Sequence, residues 1–126
     1  MLLNYWLAPD MLPFIRQIQI AADLAKGAAA RLADMEVPKH DDTEKTYAHL
    51  KARIANTVAF VESIQPNDID GEVGHPNPWR THDEFQRPAY LVHFVPPNFY
   101  FHCTTAYDIL RHCGVELGKR DFIGAI

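Results

Sequence analysis

Long apolar runs and an excess of positive charge are both missing from this chain of 126 residues. Its longest mostly apolar window, residues 90–101, is interrupted by His93, Pro96, Pro97 and Asn98, and it is far shorter than the ~20 apolar residues that span a bilayer. The 12 Lys and Arg are outnumbered by 16 Asp and Glu and lie scattered along the chain. We therefore expect neither a membrane span nor nucleic-acid binding.

A signal for export is also missing from the start of the sequence, where no basic segment precedes an apolar run of signal length. The chain has only two cysteines, Cys103 and Cys113. On one predicted helix they would lie roughly 15 Å apart, too far for a disulfide. We expect a cytoplasmic protein with free thiols.

The composition that remains is that of one globular domain, with 48% hydrophobic and 22% charged residues. Three stretches repeat apolar side chains at intervals of three and four residues, the pattern of amphipathic helices. We therefore predict a single all-α domain over residues 1–126, with three main helices at about 10–34, 43–65 and 89–113.

The first predicted helix carries one stripe of apolar or small side chains. Asp10 is predicted to cap its start, and Pro13 falls in the first turn, where the missing amide hydrogen costs no hydrogen bond. The alanines are too small to fill a core alone, so they imply that a neighbouring helix approaches closely. The stripe consists of Met11, Ile15, Ile18, Ala22, Ala25, Ala29 and Leu32.

The second predicted helix follows Asp41 and Glu44, which fit a capping box, with Thr43 as a competing cap. Arg53 is among the polar side chains assigned to its outer side. The face expected to be buried consists of Tyr47, Leu50, Ile54, Val58, Val61 and Ile64.

The proline-rich stretch at residues 66–88 is predicted to be a long loop over one end of the bundle. The third helix should be kinked at Pro96-Pro97, because proline removes a donor and crowds the preceding turn. Beyond Gly114 the tail looks too short for another helix, and we expect it to pack through Phe122 and Ile123.

Residues 7–33 (LAPDMLPFIRQIQIAADLAKGAAARLA) and 96–122 (PPNFYFHCTTAYDILRHCGVELGKRDF) resemble an uncharacterised domain-of-unknown-function family in the DinB-like helical clan. The resemblance implies an up-down-down-up four-helix bundle, often dimeric, in which the first two helices of this chain run parallel and are joined by a crossover. Relatives have a further helix before the segment that opens this sequence.

Without that helix the bundle would leave an apolar groove in water, which forfeits about 2.5 kcal/mol for each 100 Å² exposed. We expect residues 1–7 or a second copy of the chain to cover part of the groove, and a homodimer that forms through helix faces. A truncated product that depends on a partner is also compatible with the sequence.

The resemblance also indicates where a site would lie. Metal-binding members of the clan combine a histidine on an early helix with two histidines four residues apart on the last helix, and Gln19, Asn98 and His102 stand at those positions here. Two amides and one imidazole bind zinc or nickel weakly. We therefore expect no metal and no other cofactor, and a histidine that hydrogen bonds to Gln19 or to a backbone carbonyl.

Three further residues are candidates with simpler explanations. Tyr107 can lend a hydroxyl to a pocket but also fits a core position. A kink could turn His93 inward, and capping alone would explain Asp10.

No GxSxG, HExxH or phosphate-loop motif occurs in the sequence. The leading hypothesis is a non-catalytic or small-molecule-binding dimer, and the alternative is a metal-dependent transferase or isomerase that uses His102, Asn98 and Gln19. The candidate ligand-binding residues are His102, Asn98, Gln19, Tyr107, His93 and Asp10.

Overall fold

Helices make up the regular structure of the protein, which a computed structural model describes over residues 1–70 and 90–125. No β-strand occurs within those ranges. The predicted all-α class with three main helices is therefore confirmed. The helices are α1 (Phe14–Leu32), α2 (Tyr47–Ser63), α3 (Pro66–Asp70), α4 (Val95–His112) and α5 (Lys119–Ile123).

The last long helix changes its winding near its two adjacent prolines. A π-helical turn, Tyr90–Phe94, runs directly into α4 at Val95. Pro96 and Pro97 then lie in the first turn of α4, where no amide hydrogen is needed. The break predicted at the prolines is thus a change from π-helix to α-helix.

The start of α1 differs from the predicted one. Pro13, with extended backbone angles, is the N-cap residue, and no side chain caps the helix. Asp10 is exposed in the preceding turn, so its predicted role as the cap is wrong. Just before the helix, the Leu12 carbonyl accepts a hydrogen bond from Gln17 Nε2 at 3.0 Å.

The cap of α2 is also a different residue from the predicted one. Thr46 is the N-cap, and its hydroxyl accepts a hydrogen bond from the His49 amide at 3.1 Å. The capping box predicted for Asp41 and Glu44 is wrong, because the Glu44 carboxylate is bound by Gln19 and Arg53. The helix consequently begins four residues later than the sequence pattern suggested.

Two short helices occupy segments that were predicted to be irregular. α3 covers residues 66–70 of the predicted loop, and α5 lies in the tail that seemed too short for a helix. In each, a carboxylate satisfies a free amide near the first turn: Asp68 accepts from Gln65 at 2.8 Å, and Asp121 accepts from Gly118 at 2.7 Å. The rest of the predicted loop, residues 71–88, lies outside the described residues.

α1 is the central helix and packs against both α2 and α4. The Phe14 ring lies 6.3 Å from Tyr47 near the starts of α1 and α2, and Asp23 pairs with Arg53 farther along both, so these helices run parallel. Gln17 contacts His102, near the middle of α4, and Phe14 packs with residues nearer its end, so α4 is antiparallel to α1. The parallel pair joined by a crossover is therefore as the resemblance implied.

The hydrophobic core lies where the starts of α1 and α2 meet the end of α4. It is formed by Phe14, Leu50, Ala106 and Ile109. Leu2 and Leu3 of the amino-terminal 3-10 turn pack against it. Leu2 and Leu3 thus cover part of this core.

The buried face of α2 is not the one that hydrophobicity predicted. Leu50, Arg53 and Thr57 are buried, whereas Ile54 and Val58 are 43% and 48% exposed. Of the predicted face, only Leu50 is buried and Ile64 is half-buried, and the outward placement of Arg53 is wrong. The reason is that carboxylates neutralise Arg53, which lets α1 pack against a polar stripe. Tyr47, Ile54, Val58 and Val61 are left exposed.

The predicted apolar stripe of α1 lies between its two packed sides. Gln17 and Gln19 are both buried although they point about 200° apart, one toward α4 and the other toward α2. Ile18, Ala25 and Ala29 between them are only half-buried. We call the exposed aliphatic stripe of α2, namely Ile54, Val58 and Val61, the open face.

None of the described helices is both long and apolar enough to cross a membrane.

Candidate ligand-binding site

A buried glutamine on α1 fixes the orientation of His102, which lies on α4 at the helix interface. Gln17 is 2% exposed, and its Nε2 donates to the Leu12 carbonyl. Its Oε1 consequently faces His102 on α4 and lies 2.6 Å from Nδ1. Because an amide oxygen only accepts hydrogen bonds, Nδ1 must carry the proton. In the neutral ring, Nε2 therefore carries the lone pair.

The surroundings of His102 favour the neutral ring. Burial lowers the pKa of His102 below its ordinary value of 6.5, since the protein interior penalises the charged form. The ring of Phe101 stands edge-on to the imidazole with 5.1 Å between centroids. At neutral pH the unprotonated Nε2 can accept a hydrogen bond from a ligand, take up a proton or coordinate a metal.

Asn98 lies one helical turn before His102, on the same face of α4. Its Nδ2 donates to the Phe94 carbonyl at 2.6 Å. The side chain is half-buried, and its Oδ1 is the group left to face a ligand. Asn98 and His102 thus stand together as the sequence suggested, and both offer acceptors.

Gln19 takes no part in this arrangement. Its Nε2 donates to Glu44 at 2.7 Å, and its Oε1 accepts from Arg16 at 2.7 Å, so both ends of the amide are engaged on the side of α1 toward α2. The partner predicted for His102 is therefore not Gln19 but Gln17. Side chains that are two residues apart on a helix point to opposite sides, so only one of these glutamines can face α4. The sequence pattern does not say which one.

Of the remaining candidates, none has a described contact with His102. Tyr107 is half-buried and stands edge-on to Phe122 of α5, with 6.0 Å between ring centroids. His93 is exposed in the π-helical turn, and Asp10 is exposed before α1. The structure thus pairs Gln17 with His102 and places Asn98 one helical turn before His102 on α4.

The residues present do not fit the metal site of the clan. His102 supplies one imidazole, while the amide nitrogen of Asn98 and both ends of Gln19 are already hydrogen bonded. Within residues 1–70 and 90–125, no three His, Cys, Asp or Glu side chains are grouped so as to hold a metal ion. One imidazole with a neutral amide oxygen is a weak donor set for zinc or nickel.

The two cysteines form no disulfide, and the Cys103 thiol is not activated. Cys103 and Cys113 are both free, as predicted. Burial raises the pKa of the Cys103 thiol, which keeps it protonated at neutral pH.

A second polar cluster surrounds the buried guanidinium of Arg53, which is 4% exposed. Its Nη2 lies 2.7 Å from Asp23 on α1, and its Nη1 lies 2.8 Å from Asp42 and 3.0 Å from Glu44, at the end of the crossover. Three carboxylates from two segments therefore converge on one cation. The cluster fastens the crossover to both parallel helices.

Two comparisons with known proteins place the chain. Residues 1–123 match the family profile described as Domain of unknown function (DUF1993). The chain is similar to a DinB family member protein from Shewanella denitrificans, known from a crystal structure at 1.83 Å resolution, with 42% sequence identity and a TM-score of 0.88. The match covers 99% of this chain and 72% of that one. No curated protein matched the chain. The chain therefore belongs to the DUF1993 family and has the helical fold of a DinB family member.

Proposed function

We propose that this protein binds a small molecule at His102, and that the ligand donates a hydrogen bond to Nε2. The hydrogen bond between Gln17 Oε1 and His102 Nδ1 carries the proposal, because it leaves Nε2 as a fixed acceptor. Phe101, which is 55% exposed and stands beside the imidazole, offers an apolar surface to the rest of the ligand. The ligand class is thus an apolar body that bears a hydroxyl or N–H donor.

Gln17, the hydrogen-bond partner of His102 Nδ1, favours a role in binding without catalysis. In acid–base sites a carboxylate at this position stabilises the imidazolium that forms during the reaction. Gln17 offers only a neutral amide oxygen, and burial opposes the charged ring. His102 is consequently better suited to accept a hydrogen bond than to take up a proton.

The test compares phenol with toluene, which has the same apolar body but lacks the donor. In protein labelled with ¹⁵N at histidine, saturable binding of phenol should shift the His102 Nε2 resonance, and toluene should leave it nearly unchanged. The exposed His112 serves as the internal control. Equal shifts with both probes, or binding of phenol that persists unchanged in His102→Phe, would argue against the proposal.

We further propose that the open face is buried against a second copy of the chain. Ile54 and Val58, on one side of the same helix, are nearly half exposed. Contact between such aliphatic side chains and water costs free energy, which burial against a partner would recover. A two-fold axis would pair this face with itself, the commonest arrangement in homodimers.

A further inference from the structure

The orientation of the Gln17 amide depends on one backbone carbonyl that lies outside α1. Gln17 Nε2 donates to the Leu12 carbonyl at 3.0 Å, and Gln17 Oε1 lies 2.6 Å from His102 Nδ1. Turning this buried amide over would place Oε1 against the Leu12 carbonyl, so that two acceptors would face each other without a proton between them. The Leu12 carbonyl therefore decides which end of Gln17 faces His102.

That carbonyl belongs to residues 2–12, which we call the amino-terminal segment. The side chains of Leu2 and Leu3 pack against the core. The Tyr5 carbonyl accepts a hydrogen bond from the Phe14 amide at 2.8 Å. Because Phe14 is the first residue of α1, its amide has no acceptor within the helix. The Tyr5 carbonyl supplies that acceptor and fastens the segment to the start of α1.

The anchor of the amino-terminal segment and its effect lie at opposite ends. Leu2 and Leu3, at its start, contact the core. Three later side chains are largely exposed, namely Trp6, Leu7 and Leu12 at 43%, 42% and 46%. These exposed side chains contribute little to holding the segment on the bundle. Loss of the contacts at its start would therefore free the far end of the segment, including the Leu12 carbonyl.

We propose that the amino-terminal segment controls which class of ligand binds at His102, an inference that rests on the proposed function. While the segment is anchored, Gln17 keeps the proton of the neutral ring on His102 Nδ1, and the ligand must donate to His102 Nε2. When the segment is released, the Gln17 amide loses the Leu12 carbonyl and can turn its N–H toward the ring. His102 then gives up its Nδ1 proton to water, takes one from water at Nε2, and selects ligands that offer an acceptor such as a carbonyl.

The experiment reads the tautomer of His102 without a ligand, from the two ring nitrogen resonances of the full chain labelled with ¹⁵N at histidine. Leu2→Asp/Leu3→Asp should release the segment, because carboxylates are unfavourable in contact with an apolar core. The His102 resonances should then move toward the form protonated at Nε2. The matched control is Trp6→Asp/Leu7→Asp, which adds the same charges at exposed positions of the segment and should leave the tautomer unchanged.

Two further measurements follow the effect to the ligand. In a Gln17→Met background, Leu2→Asp/Leu3→Asp should cause no additional change in the tautomer, because no amide is left to turn. With Gln17 present, the released variant should bind phenol about threefold more weakly than the parent, in proportion to the rings that lose the Nε2 acceptor. Cyclohexanone, which offers only an acceptor, should bind the released variant more tightly than it binds the parent.

An unchanged tautomer in Leu2→Asp/Leu3→Asp, with the helical circular dichroism spectrum intact, would overturn the proposal. If that spectrum is lost, Leu3→Ser takes its place and the same outcome applies. An equal change in the Trp6→Asp/Leu7→Asp control, or a change that persists in the Gln17→Met background, would also overturn it. These outcomes need no ligand, so they are separate from the proposed function, which fails if phenol does not bind the parent.

Discussion

Arg53 and Asp23 form an ion pair, 2.7 Å from Nη2 to Oδ1, in which only the arginine is buried: the side chains are 2% and 46% exposed. The cation is thus inside the bundle while its counter-ion reaches it from the surface. Asp42 and Glu44 approach the same guanidinium from the crossover. The contact between the parallel helices consequently depends on a charge cluster where an apolar seam was predicted.

Replacing the buried cation should destabilise the protein strongly. In Arg53→Met the three carboxylates lose their shared partner, but Asp23 and Asp42 can be rehydrated because they are 46% and 40% exposed. We expect a loss of about 2–4 kcal/mol in the free energy of unfolding, measured by urea denaturation. The matched control is Arg16→Met, which removes an exposed pair with Asp42 and should cost less than about 1 kcal/mol. Equal losses in the two variants would contradict this account.

Stability should fall in acid because the pKa values of two carboxylates of the cluster, Asp42 and Glu44, are lowered. Burial alone would raise the pKa of Glu44, but hydrogen bonds from Gln19 and the backbone and the charge of Arg53 outweigh it and hold the pKa below its ordinary 4.5. A lowered pKa contributes stability that is complete above 4.5 and is lost as the pH falls through the lowered value. Urea denaturation across this range should show the loss, and Arg53→Met should show a smaller one. An identical acid dependence in that variant would rule out the cluster as its source.

The titration of His102 should reveal both its burial and its partner. Because the pKa of His102 is lowered in the folded protein, the unfolded chain binds a proton at a higher pH than the folded one does. The free energy of unfolding therefore declines as the pH drops from 6.5 toward the lowered pKa. The ring proton shifts should report this pKa, with exposed His112 as the comparison. Gln17→Glu should raise the pKa of His102, because a carboxylate stabilises the imidazolium. A parent His102 that titrates at or above 6.5 would refute the buried, neutral ring.

The open face should control the oligomeric state. Val58→Asp places a charge on the exposed aliphatic stripe of α2 and should convert a dimer to a monomer while leaving the helical signal intact. Asn56→Asp introduces the same charge at an exposed position outside that stripe and should remain dimeric. Light scattering coupled to size exclusion measures both. A monomeric parent protein at high concentration would disprove the dimer.

Metal analysis separates the binding role from the metal-dependent alternative. Because His102 has only amides beside it, we expect the purified protein, after incubation with zinc or nickel, to retain far less than one equivalent. His102→Ala should behave the same way. Stoichiometric metal in the parent that is lost in His102→Ala would instead support the transferase or isomerase hypothesis.

The sequence predicted where the long helices lie, because spacings of three and four reveal which segments are amphipathic. It could not predict which side of α2 packs inward, since the burial of Arg53 depends on Asp23, Asp42 and Glu44, and Asp23 is thirty residues away along the chain. The parallel order of α1 and α2 came from the family resemblance alone, as the length of the connection allows either direction.

The sequence predicted only part of the candidate site, because the rest depends on contacts between distant residues. His102 and Asn98 share a face by their spacing of four residues, which the sequence shows directly. Their partner on α1 could not be chosen, because Gln17 and Gln19 are chemically identical and point to opposite sides. Only the packing of α4 and α2 on the two sides of α1 distinguishes them.

On α2 the polar side chains are buried and the aliphatic ones are exposed, so the two groups have different roles. Arg53 and Thr57 are buried within the fold of the chain, whereas Ile54, Val58 and Val61 are exposed and contribute little to its packing. Selection for folding alone would therefore preserve the polar residues and let the aliphatic ones drift toward polar types. Under the proposed dimer, selection to keep those three positions apolar would come from the partner copy that they contact.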